Sequence, residues 1–596
     1  MPRPRRRALT ALAVTALSSL TLIASSLGSG TAQADPPDRP GPSPVKLQIL
    51  ALNDFHGQLE KVPATSSSGR IVTGRDANGN EVRVPAGGAE YLATHLKELR
   101  AEAAQKRMHS VTVAAGDLIG ATPLLSAAFH DEPTIEAMNE MGLQISSVGN
   151  HEFDEGWQEL VRMQRGGCLD DGPTGANNQN SCPDHTFEGA DFQYLSANVT
   201  HTDTGRTVFP AVKVERYDGI EVGFVGMTLE DTPNIVTKAG VEGLTFSDEA
   251  ETANAVADRL HRQGVDAVVV LLHEGGFPAD PTAYNSCPGI SGPIVDIERQ
   301  LSPRIDAVIT GHTHQAYNCE FRDRDGQKRL VTSGSSIGRL VTEIDLDLDR
   351  RTGDVVRDSE KADNHVVTND ATVTPDAAIT SLISVYKKLV EPIAGKVIGH
   401  LANGATSVTR TADDSGESPL GNLIADAQRA DQSTVTGGKV PEIAFMNPGG
   451  IRADLQAAGG SVTYGDAFSV QPFNNYDVSM DMTGAQVLTL LNQQGTGTNA
   501  ASRKILQVSG VTYSYHDSPF AVVPESVQVN GEPLDPARTY RVVANSFLSD
   551  GGDGFPAFTQ ATNKFFGGVD IDAFAAYLSA HDPYTPTATD RITKLP

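Results

Sequence analysis

The chain has 596 residues, of which 39% are hydrophobic and 20% charged, with 57 Gly and 34 Pro. This length exceeds what one hydrophobic core usually supports, so we expect two or more domains, and the composition excludes a fibrous or a membrane protein. The formal net charge of −27 opposes contact with nucleic acid polymers and anionic lipid, so neither is an expected partner.

Residues 1–34 have the positively charged start, the apolar run and the small-residue cleavage site of a signal peptide. Four arginines between positions 3 and 7 precede an apolar stretch over 8–27, and residues 32–34 (AQA) form a small-residue cleavage site. Cleavage near Ala34 predicts a secreted, extracellular protein with residues 35–45 as a mobile leader. The alternatives are an uncleaved anchor helix and, for the type of signal, a twin-arginine or a plain secretory one.

Five short, apolar, β-branched runs each end abruptly in polar residues of the kinds that bind metals. Such runs predict buried strands, and helices are expected between them over 87–106 and 248–263. Open α/β sheets bind ligands just beyond their strand ends, so we expect these polar side chains to converge. They are Asp54 and His56, then Asp117, then Asn150, then His273, and finally His312 and His314.

The polar residues at the strand ends predict a site for two divalent metal ions. Oxygen and imidazole ligands without a thiolate suit Zn, Mn, Fe, Ni or Co better than Ca or Mg. Two neighbouring cations need an anionic bridge, and Asp117 is the natural one. Such a pair polarises a phosphoryl group and generates hydroxide from bound water near neutral pH. It would also supply the positive charge that an acidic protein needs at a phosphate site.

The four cysteines predict two disulfides, because an even count in an exported chain is typical of paired thiols. Cys168 and Cys182 bracket a polar loop and are predicted as one pair, which leaves Cys287 and Cys319 as the other. Since none of the four has CxxC spacing, a zinc ion held by cysteines is not expected.

A second unit is predicted to begin near residue 396, after a polar stretch and a helix over 376–395 that could bridge two domains. Three of its segments place aromatic and polar residues in turn-like settings. Two Phe rings could sandwich a nucleobase, an Asp could accept hydrogen bonds from ribose hydroxyls, and an Arg could hold a phosphate oxygen. Its predicted strands are 442–446, 505–515 and 540–545, and its predicted helices are 418–430, 483–493 and 570–580.

The motifs NDFHGQL, GDLIGATPL, GNHEFDEG, LLHEGG and GHTH resemble those of the calcineurin-like metallophosphoesterases. Together with NPGGIR, PFNN and NSFLSDGGDGF in the second unit, they resemble the 5'-nucleotidase family over residues 46–595. The resemblance implies an α/β protein with an N-terminal four-layer α/β/β/α metallophosphoesterase domain over 46–365 and a separate C-terminal α+β substrate-binding domain over 396–596. Residues 366–395 would form the linker with its bridging helix.

The resemblance also implies an activity and assigns metal ligands. The protein would be a secreted dinuclear-metal hydrolase that removes phosphate from nucleotides by attack of metal-bound water. The residue that matches the family's transition-state histidine is His151, oriented by Asp154. Some family members have Gln or Asn where His314 stands. One ion would be bound by Asp54, His56, Asp117 and His314, and the other by Asp117, Asn150, His273 and His312.

The same resemblance assigns the substrate contacts. Phe473 and Phe547 would clamp the base, with polar partners at Asn447, Arg452, Asn475 and Asp553. In the NPGGIR motif Pro448 replaces a Gly of the family. Gly416 stands about where some members have a second Arg, and Arg410, six residues earlier, is the candidate to reach in from a loop.

The preferred substrate stays open at this point. Sibling activities with the same motifs are 2',3'-cyclic nucleotide 2'-phosphodiesterase with 3'-nucleotidase, and UDP-sugar hydrolase. A non-catalytic nucleotide-binding or adhesion protein is the alternative of a different class, and the intact ligand set argues against it. The expected partner is a small-molecule nucleotide, and a monomer is favoured.

Overall fold

The computed structural model describes residues 43–64, 68–171, 179–280 and 282–596. The predicted signal peptide and all but the last three residues of the predicted leader lie outside these ranges. Among the described residues, no helix combines the length and the apolar composition that crossing a bilayer requires.

The N-terminal part of the chain, up to residue 366, alternates strands and helices. Its helices are α1 (Ala89–Gln105), α2 (Leu124–Ala127), α3 (Glu132–Glu140), α4 (Trp157–Arg165), α5 (Glu249–Gln263) and α6 (Pro293–Gln300). Its strands are β1 (Val45–Leu52), β2 (Arg70–Arg75), β3 (Glu81–Pro85), β4 (His109–Ala115), β5 (Ile145–Ser147), β6 (Gln193–Leu195), β7 (Val199–His201), β8 (Val212–Tyr217), β9 (Ile220–Thr228), β10 (Leu244–Phe246), β11 (Ala267–His273), β12 (Ala307–Thr310), β13 (Ala316–Arg322), β14 (Lys328–Gly334), β15 (Leu340–Leu348) and β16 (Lys361–Val366).

Two six-stranded sheets form the framework of this part within the described residues. Their strand orders are β16-β15-β1-β4-β5-β6 and β13-β14-β12-β11-β9-β8. The inner strands are parallel, as in the pairs β1–β4 and β9–β11, whereas the pairs β1–β15 and β13–β14 are antiparallel. The carboxyl ends of the inner strands therefore lie at one edge of each sheet.

The two sheets pack face to face with helices on their outer sides. In β1, Leu47 and Ile49 share an apolar cluster with Val269 of the other sheet, whereas Leu50, on the opposite face of the strand, packs in the cluster that contains helix α1. This alternation follows from the two-residue period of a strand. Helices α5 and α6 cover the outer face of the second sheet. The predicted α/β/β/α layering is confirmed.

The C-terminal part begins at residue 397 and follows a long helix. Its helices, with that connecting helix, are α7 (Ala377–Ala394), α8 (Pro419–Ala430), α9 (Tyr464–Val470), α10 (Gly484–Gln493), α11 (Ser546–Ser549) and α12 (Asp570–Ala580). Its strands are β17 (Val397–His400), β18 (Ser407–Val408), β19 (Ile443–Met446), β20 (Leu455–Gln456), β21 (Ser461–Thr463), β22 (Tyr476–Thr483), β23 (Gln507–Ser509), β24 (Val511–Asp517), β25 (Phe520–Val522), β26 (Gln528–Val529), β27 (Glu532–Pro533), β28 (Thr539–Asn545), β29 (Thr562–Val569) and β30 (Ile592–Leu595).

A five-stranded sheet of order β23-β19-β28-β22-β29 organises the C-terminal part. One apolar cluster joins the sheet to α10 and β24, and another contains α8, α9 and α12. Strand and helix segments are thus mixed without a regular alternation, as the predicted α+β class requires.

Helix α7 packs against both parts of the chain. Asp376 begins it by accepting hydrogen bonds from the N–H groups of Ala378 and Ile379. In its middle, the ring of Tyr386 lies 5.1 Å from that of Phe129 in the N-terminal part. The same apolar cluster continues into α8 and α9, so a continuous core joins the two parts through this helix.

The six helices predicted from the sequence correspond to α1, α5, α7, α8, α10 and α12, each within two residues at either end. The single strand predicted over 505–515 is wrong. Gly510 separates β23 from β24 with a φ of 73°, and a Cβ at this position would lie 2.0 Å from the carbonyl oxygen of Glu442. Only glycine suits this turn, so the chain leaves the five-stranded sheet there.

Both predicted disulfides are confirmed. Cys168 pairs with Cys182 at a Cα–Cα distance of 5.6 Å, and Cys287 pairs with Cys319 at 5.2 Å. The second bridge fastens the segment before α6 to strand β13.

A buried ion pair gives a test of the packing in the N-terminal part. Arg329 donates to Glu298 at 3.0 Å and to two backbone carbonyls, and the two side chains are 0% and 4% exposed. Arg329→Met would leave a buried carboxylate without its cation, which costs about 3–5 kcal/mol. We expect the thermal unfolding midpoint of this variant, measured by circular dichroism, to be several degrees lower than that of the natural protein.

Arg299→Met is the control for this test, because its pair with Asp296 is mostly exposed (69% and 78%). Exposed pairs contribute at most about 1 kcal/mol. Equal midpoints for the two variants would contradict the packing described for Arg329.

Candidate active site

The predicted metal ligands lie where the inner strands of the two sheets end. β1, β4 and β5 lead to them in one sheet, and β11 and β12 in the other. The backbone is bent sharply there, because five of these non-glycine residues have φ values between 48° and 69°. Such left-handed conformations are uncommon for residues with a side chain and concentrate at functional sites. The five residues are Asp54, His56, Asp117, His312 and His314.

The first ligand cluster consists of Asp54, His56 and His314. One donor atom from each lies within 4.8 Å of the others. Nε2 of His56 is 3.1 Å from Nε2 of His314, which is 3.4 Å from a carboxylate oxygen of Asp54. His56 is oriented through its other nitrogen, which lies 2.9 Å from the carbonyl oxygen of Gly120.

The second ligand cluster consists of Asp117, His273 and His312, again within 4.8 Å of one another. Oδ2 of Asp117 lies 3.0 Å from Nε2 of His273 and 3.7 Å from Nε2 of His56. The amide oxygen of Asn150 lies 3.1 Å from His273 and 3.0 Å from His312. Asp117 therefore stands between the two clusters, at a position where two cations could share it as a ligand.

The donor set fits two divalent cations. It combines carboxylate, imidazole and amide oxygen ligands in a buried setting, and such ligands suit borderline metals such as zinc or manganese. Burial and the neighbouring His273 lower the pKa of His312 to about 3. Its ring is therefore neutral at physiological pH, which is the form that binds a metal.

Two buried side chains that the sequence analysis missed hold these ligands in place. Glu152 accepts hydrogen bonds of 2.6–2.9 Å from three backbone N–H groups, two after β4 and one beside Asn150. Asn53 donates to Asp54 and to a backbone carbonyl, both at 2.6 Å. Both residues are inside the motifs NDFH and GNHE, directly next to ligands, and that adjacency is the signal that could have found them.

His151 and Asp154 form a pair next to the second cluster. Nδ1 of His151 lies 2.8 Å from Oδ2 of Asp154, and the backbone N–H of His151 donates to Asp117 at 2.9 Å. Burial opposes charge on His151, but the carboxylates of Asp154 and Asp117 outweigh it and raise the pKa of the ring. The ring stacks on Phe473 of the C-terminal part at a centroid distance of 5.6 Å.

One cavity of about 260 Å³ joins these groups to the predicted substrate residues. On the N-terminal side it is lined by Asn150, His151, Asp154 and His312. Its C-terminal side contains six of the seven predicted contacts, namely Asn447, Arg452, Phe473, Asn475, Phe547 and Asp553.

The seventh predicted contact, Arg410, is outside the lining of this cavity. Its guanidinium donates to the carbonyl oxygen of Ile451 at 2.8 Å, so it supports the loop that carries Arg452. No side chain could replace it at Gly416, because a Cβ there would lie 2.8 Å from the side chain of Ile505.

Lys504 is a cavity residue that the sequence analysis missed. Its ammonium lies 2.6 Å from one carboxylate oxygen of Asp553, while Asn447 donates to the other at 2.8 Å. Both oxygens keep lone pairs for a further donor, so Asp553 is oriented without being blocked. The segment around Lys504 contains no motif, and nothing in the sequence pointed to it.

Comparisons with known proteins agree with this arrangement. The family model of the calcineurin-like phosphoesterases matches residues 47–316, and that of the 5'-nucleotidase C-terminal domain matches 397–560. The endonuclease YhcR of Bacillus subtilis is 30% identical over 551 residues, which are 92% of this chain and 41% of that protein. The chain therefore spans less than half the length of this relative.

Two further comparisons cover most of the chain. The cell wall protein Lmo0130 of Listeria monocytogenes is 34% identical over 561 residues, 90% of this chain and 67% of that protein. The crystal structure of a 5'-nucleotidase precursor from Thermus thermophilus has a TM-score of 0.72 and 25% sequence identity to this chain. The match covers 92% of this chain and 99% of the Thermus chain. With its two clusters of ligand-type side chains and a matching domain on either side of the cavity, the chain belongs to the 5'-nucleotidase family of metal-dependent phosphoesterases.

Proposed function

We propose that the protein hydrolyses nucleotides to nucleosides and phosphate, acting as a 5'-nucleotidase with two divalent cations. The observation that carries this proposal is the single cavity that contains both metal-centre residues, such as Asn150 and His312, and the aromatic pair Phe473 and Phe547. A phosphatase without preference for nucleotides would need only the first group.

The two ligand clusters would hold the cations, with Asp117 shared between them. When bound, the cations polarise the phosphoryl group and activate water for attack on it. The donor types favour Zn, Mn, Co, Ni or Fe.

The chain's own residues would stabilise the charge that develops on the phosphoryl oxygens. Asp154 holds Nδ1 of His151, which leaves Nε2 free to donate to an oxygen of the substrate. A donor already oriented toward developing charge is a large catalytic contribution. Arg452, whose guanidinium lies 5.7 Å from the ring centroid of Phe473, would add a second positive group between the metals and the base.

The C-terminal part would bind the nucleoside. A flat base can stack on Phe473 or Phe547 whatever its identity, because every base has a π face. Asp553, held by Lys504 and Asn447, would accept hydrogen bonds from the ribose hydroxyls. Because one substrate would contact both parts of the chain, its phosphate and base would be fixed together, which sets the orientation for attack.

We propose in addition that the protein is exported. Residues 1–34 have the features of a signal peptide, the two disulfides are typical of an oxidising compartment, and a relative with 34% identity is named a cell wall protein.

A second candidate activity is cleavage of phosphodiesters, because the relative YhcR is named an endonuclease. Product formation from AMP, 2',3'-cyclic AMP and UDP-glucose, followed by chromatography because cleavage of a diester frees no phosphate, together with cleavage of single-stranded DNA, would separate the candidates. We expect AMP to be the best substrate, since the net charge of −27 repels a polymer. Faster cleavage of DNA than of AMP would favour the second candidate.

Asp117→Asn tests the metal centre. Loss of a partner that only orients a ligand costs about 10–100-fold in activity or metal affinity, so loss of the shared ligand should cost more than 100-fold on every substrate. The bound metal, measured by elemental analysis, should fall as well. Asp218→Asn at an exposed ion pair with Arg350 is the control and should change neither quantity. Full activity in Asp117→Asn would refute the assignment.

Phe547→Ala tests the division of labour between the two parts. Stacking on an aromatic ring contributes about 1–3 kcal/mol per base, so kcat/KM for AMP should fall roughly 5- to 150-fold. Hydrolysis of p-nitrophenyl phosphate, which has no base, should stay unchanged. Phe566→Ala, on the exposed edge strand β29, should affect neither substrate. Equal losses on both substrates would argue against a base-binding role for Phe547.

A further inference from the structure

A third group of ligand-type side chains lies close to the active site in the N-terminal part. His130, Glu155 and Glu159 each offer a donor atom, and these atoms lie within 4.8 Å of one another. The two ligand clusters around Asp117 meet the same spacing. This group combines an imidazole with carboxylates, as those clusters do, although no motif connects its members in the sequence.

The imidazole of His130 is buried and incompletely bonded. The residue is 6% exposed, and Nδ1 lies 2.6 Å from a carboxylate oxygen of Glu155. Among the residues that the structure describes, its other nitrogen, Nε2, has no hydrogen-bond partner, and the carboxylate of Asp171 is 3.6 Å away from it. Buried polar atoms in proteins nearly always have a partner, so this nitrogen points to a ligand.

A second buried atom without a partner belongs to the next residue. Asp131 is 7% exposed, and its Oδ1 makes no hydrogen bond within the part of the chain that the structure describes. His130, Asp131, Glu155 and Glu159 all line a cavity of about 410 Å³ next to Asp154. A small cation from solvent can therefore reach the group.

The charges around this cavity favour a cation. The carboxylates that line it include those of Asp131, Glu155 and Glu159, together with Glu152, Asp154 and Asp550. Lys238 also lines it, and Arg162 donates to Glu159 at 2.6–2.9 Å. The arginine also pairs with Glu132, so it is shared between two carboxylates. Oε1 of Glu159 accepts from Nε and Nη2 of the arginine, whereas Oε2 accepts from Nε alone and keeps a lone pair for a cation.

We propose that His130, Glu155 and Glu159 bind a third divalent cation, separate from the two at Asp117. One imidazole with carboxylates is a ligand set for Mn²⁺ or Zn²⁺. Glu155 directly follows Asp154, so the cation would fix the turn that places Asp154 against His151. This site does not depend on the proposed substrate and would be present in a protein of any activity.

Metal counting on the full chain tests this site. The protein is dialysed to equilibrium against Mn²⁺ alone, and the bound metal is measured by elemental analysis. We expect three ions per chain in the natural protein and two in Glu155→Gln. Because the side chain of Glu155 is 38% exposed, this substitution should leave folding intact, and His130→Gln should give the same loss of one ion.

His261→Gln is the matched control, since His261 also pairs with a carboxylate, that of Asp266, at an exposed position. It should retain three ions. The thermal midpoint should rise with added Mn²⁺ by a larger amount in the natural protein than in Glu155→Gln. Equal ion counts in the natural protein and Glu155→Gln would overturn the proposal. That result is expected if the ring of His130 only pairs with the carboxylates of Glu155 and Asp171. Neither readout requires turnover, so this failure is distinct from failure of the proposed hydrolysis.

Discussion

The position of one buried carboxylate, that of Asp117, constrains the rest of the site. Its side chain is 1% exposed and lies between the two ligand clusters, 3.0 Å from His273 and 3.7 Å from His56. The backbone around it must come very close, because a Cβ on Gly149 would lie 2.2 Å from its Oδ1. The same oxygen accepts from the N–H of His151. The strand ends, the glycines and the pair of His151 and Asp154 are thus arranged around a single buried carboxylate.

The second constraint is the contact between the two parts of the chain. Phe473 stacks on His151, so the proposed base-binding loop of the C-terminal part touches the metal centre directly. Helix α7 and its apolar cluster hold the parts together on another side. A cavity lined by both parts follows from this packing. The proposed phosphorylated substrate would have to bind there despite the strong net negative charge of the protein. Local cations and Arg452 would outweigh the surface charge at short range.

The convergence of the predicted ligand residues could be expected from the sequence, because metal chemistry restricts the residue types and strand ends restrict their places. The six predicted helices agree within two residues because caps and apolar periodicity are local signals. The turn at Gly510, which divides the strand predicted over 505–515, was not predicted because the close contact of Gly510 with Glu442 exists only in the folded chain. Lys504 and the group around His130 were missed for the same reason, since residues far apart in sequence meet without a motif. Arg410 was placed in the cavity by analogy, whereas it supports a neighbouring loop.

In the proposed function, one nucleotide contacts the two ligand clusters and the aromatic pair together. A crystal structure with Mn²⁺ and a non-hydrolysable analogue of AMP, using the anomalous scattering of manganese, tests it most directly. We expect anomalous peaks in both clusters on either side of Asp117, with the phosphate near His151 and the base stacked on Phe473 and Phe547. A base bound away from these two rings, or no manganese in the two clusters, would contradict it.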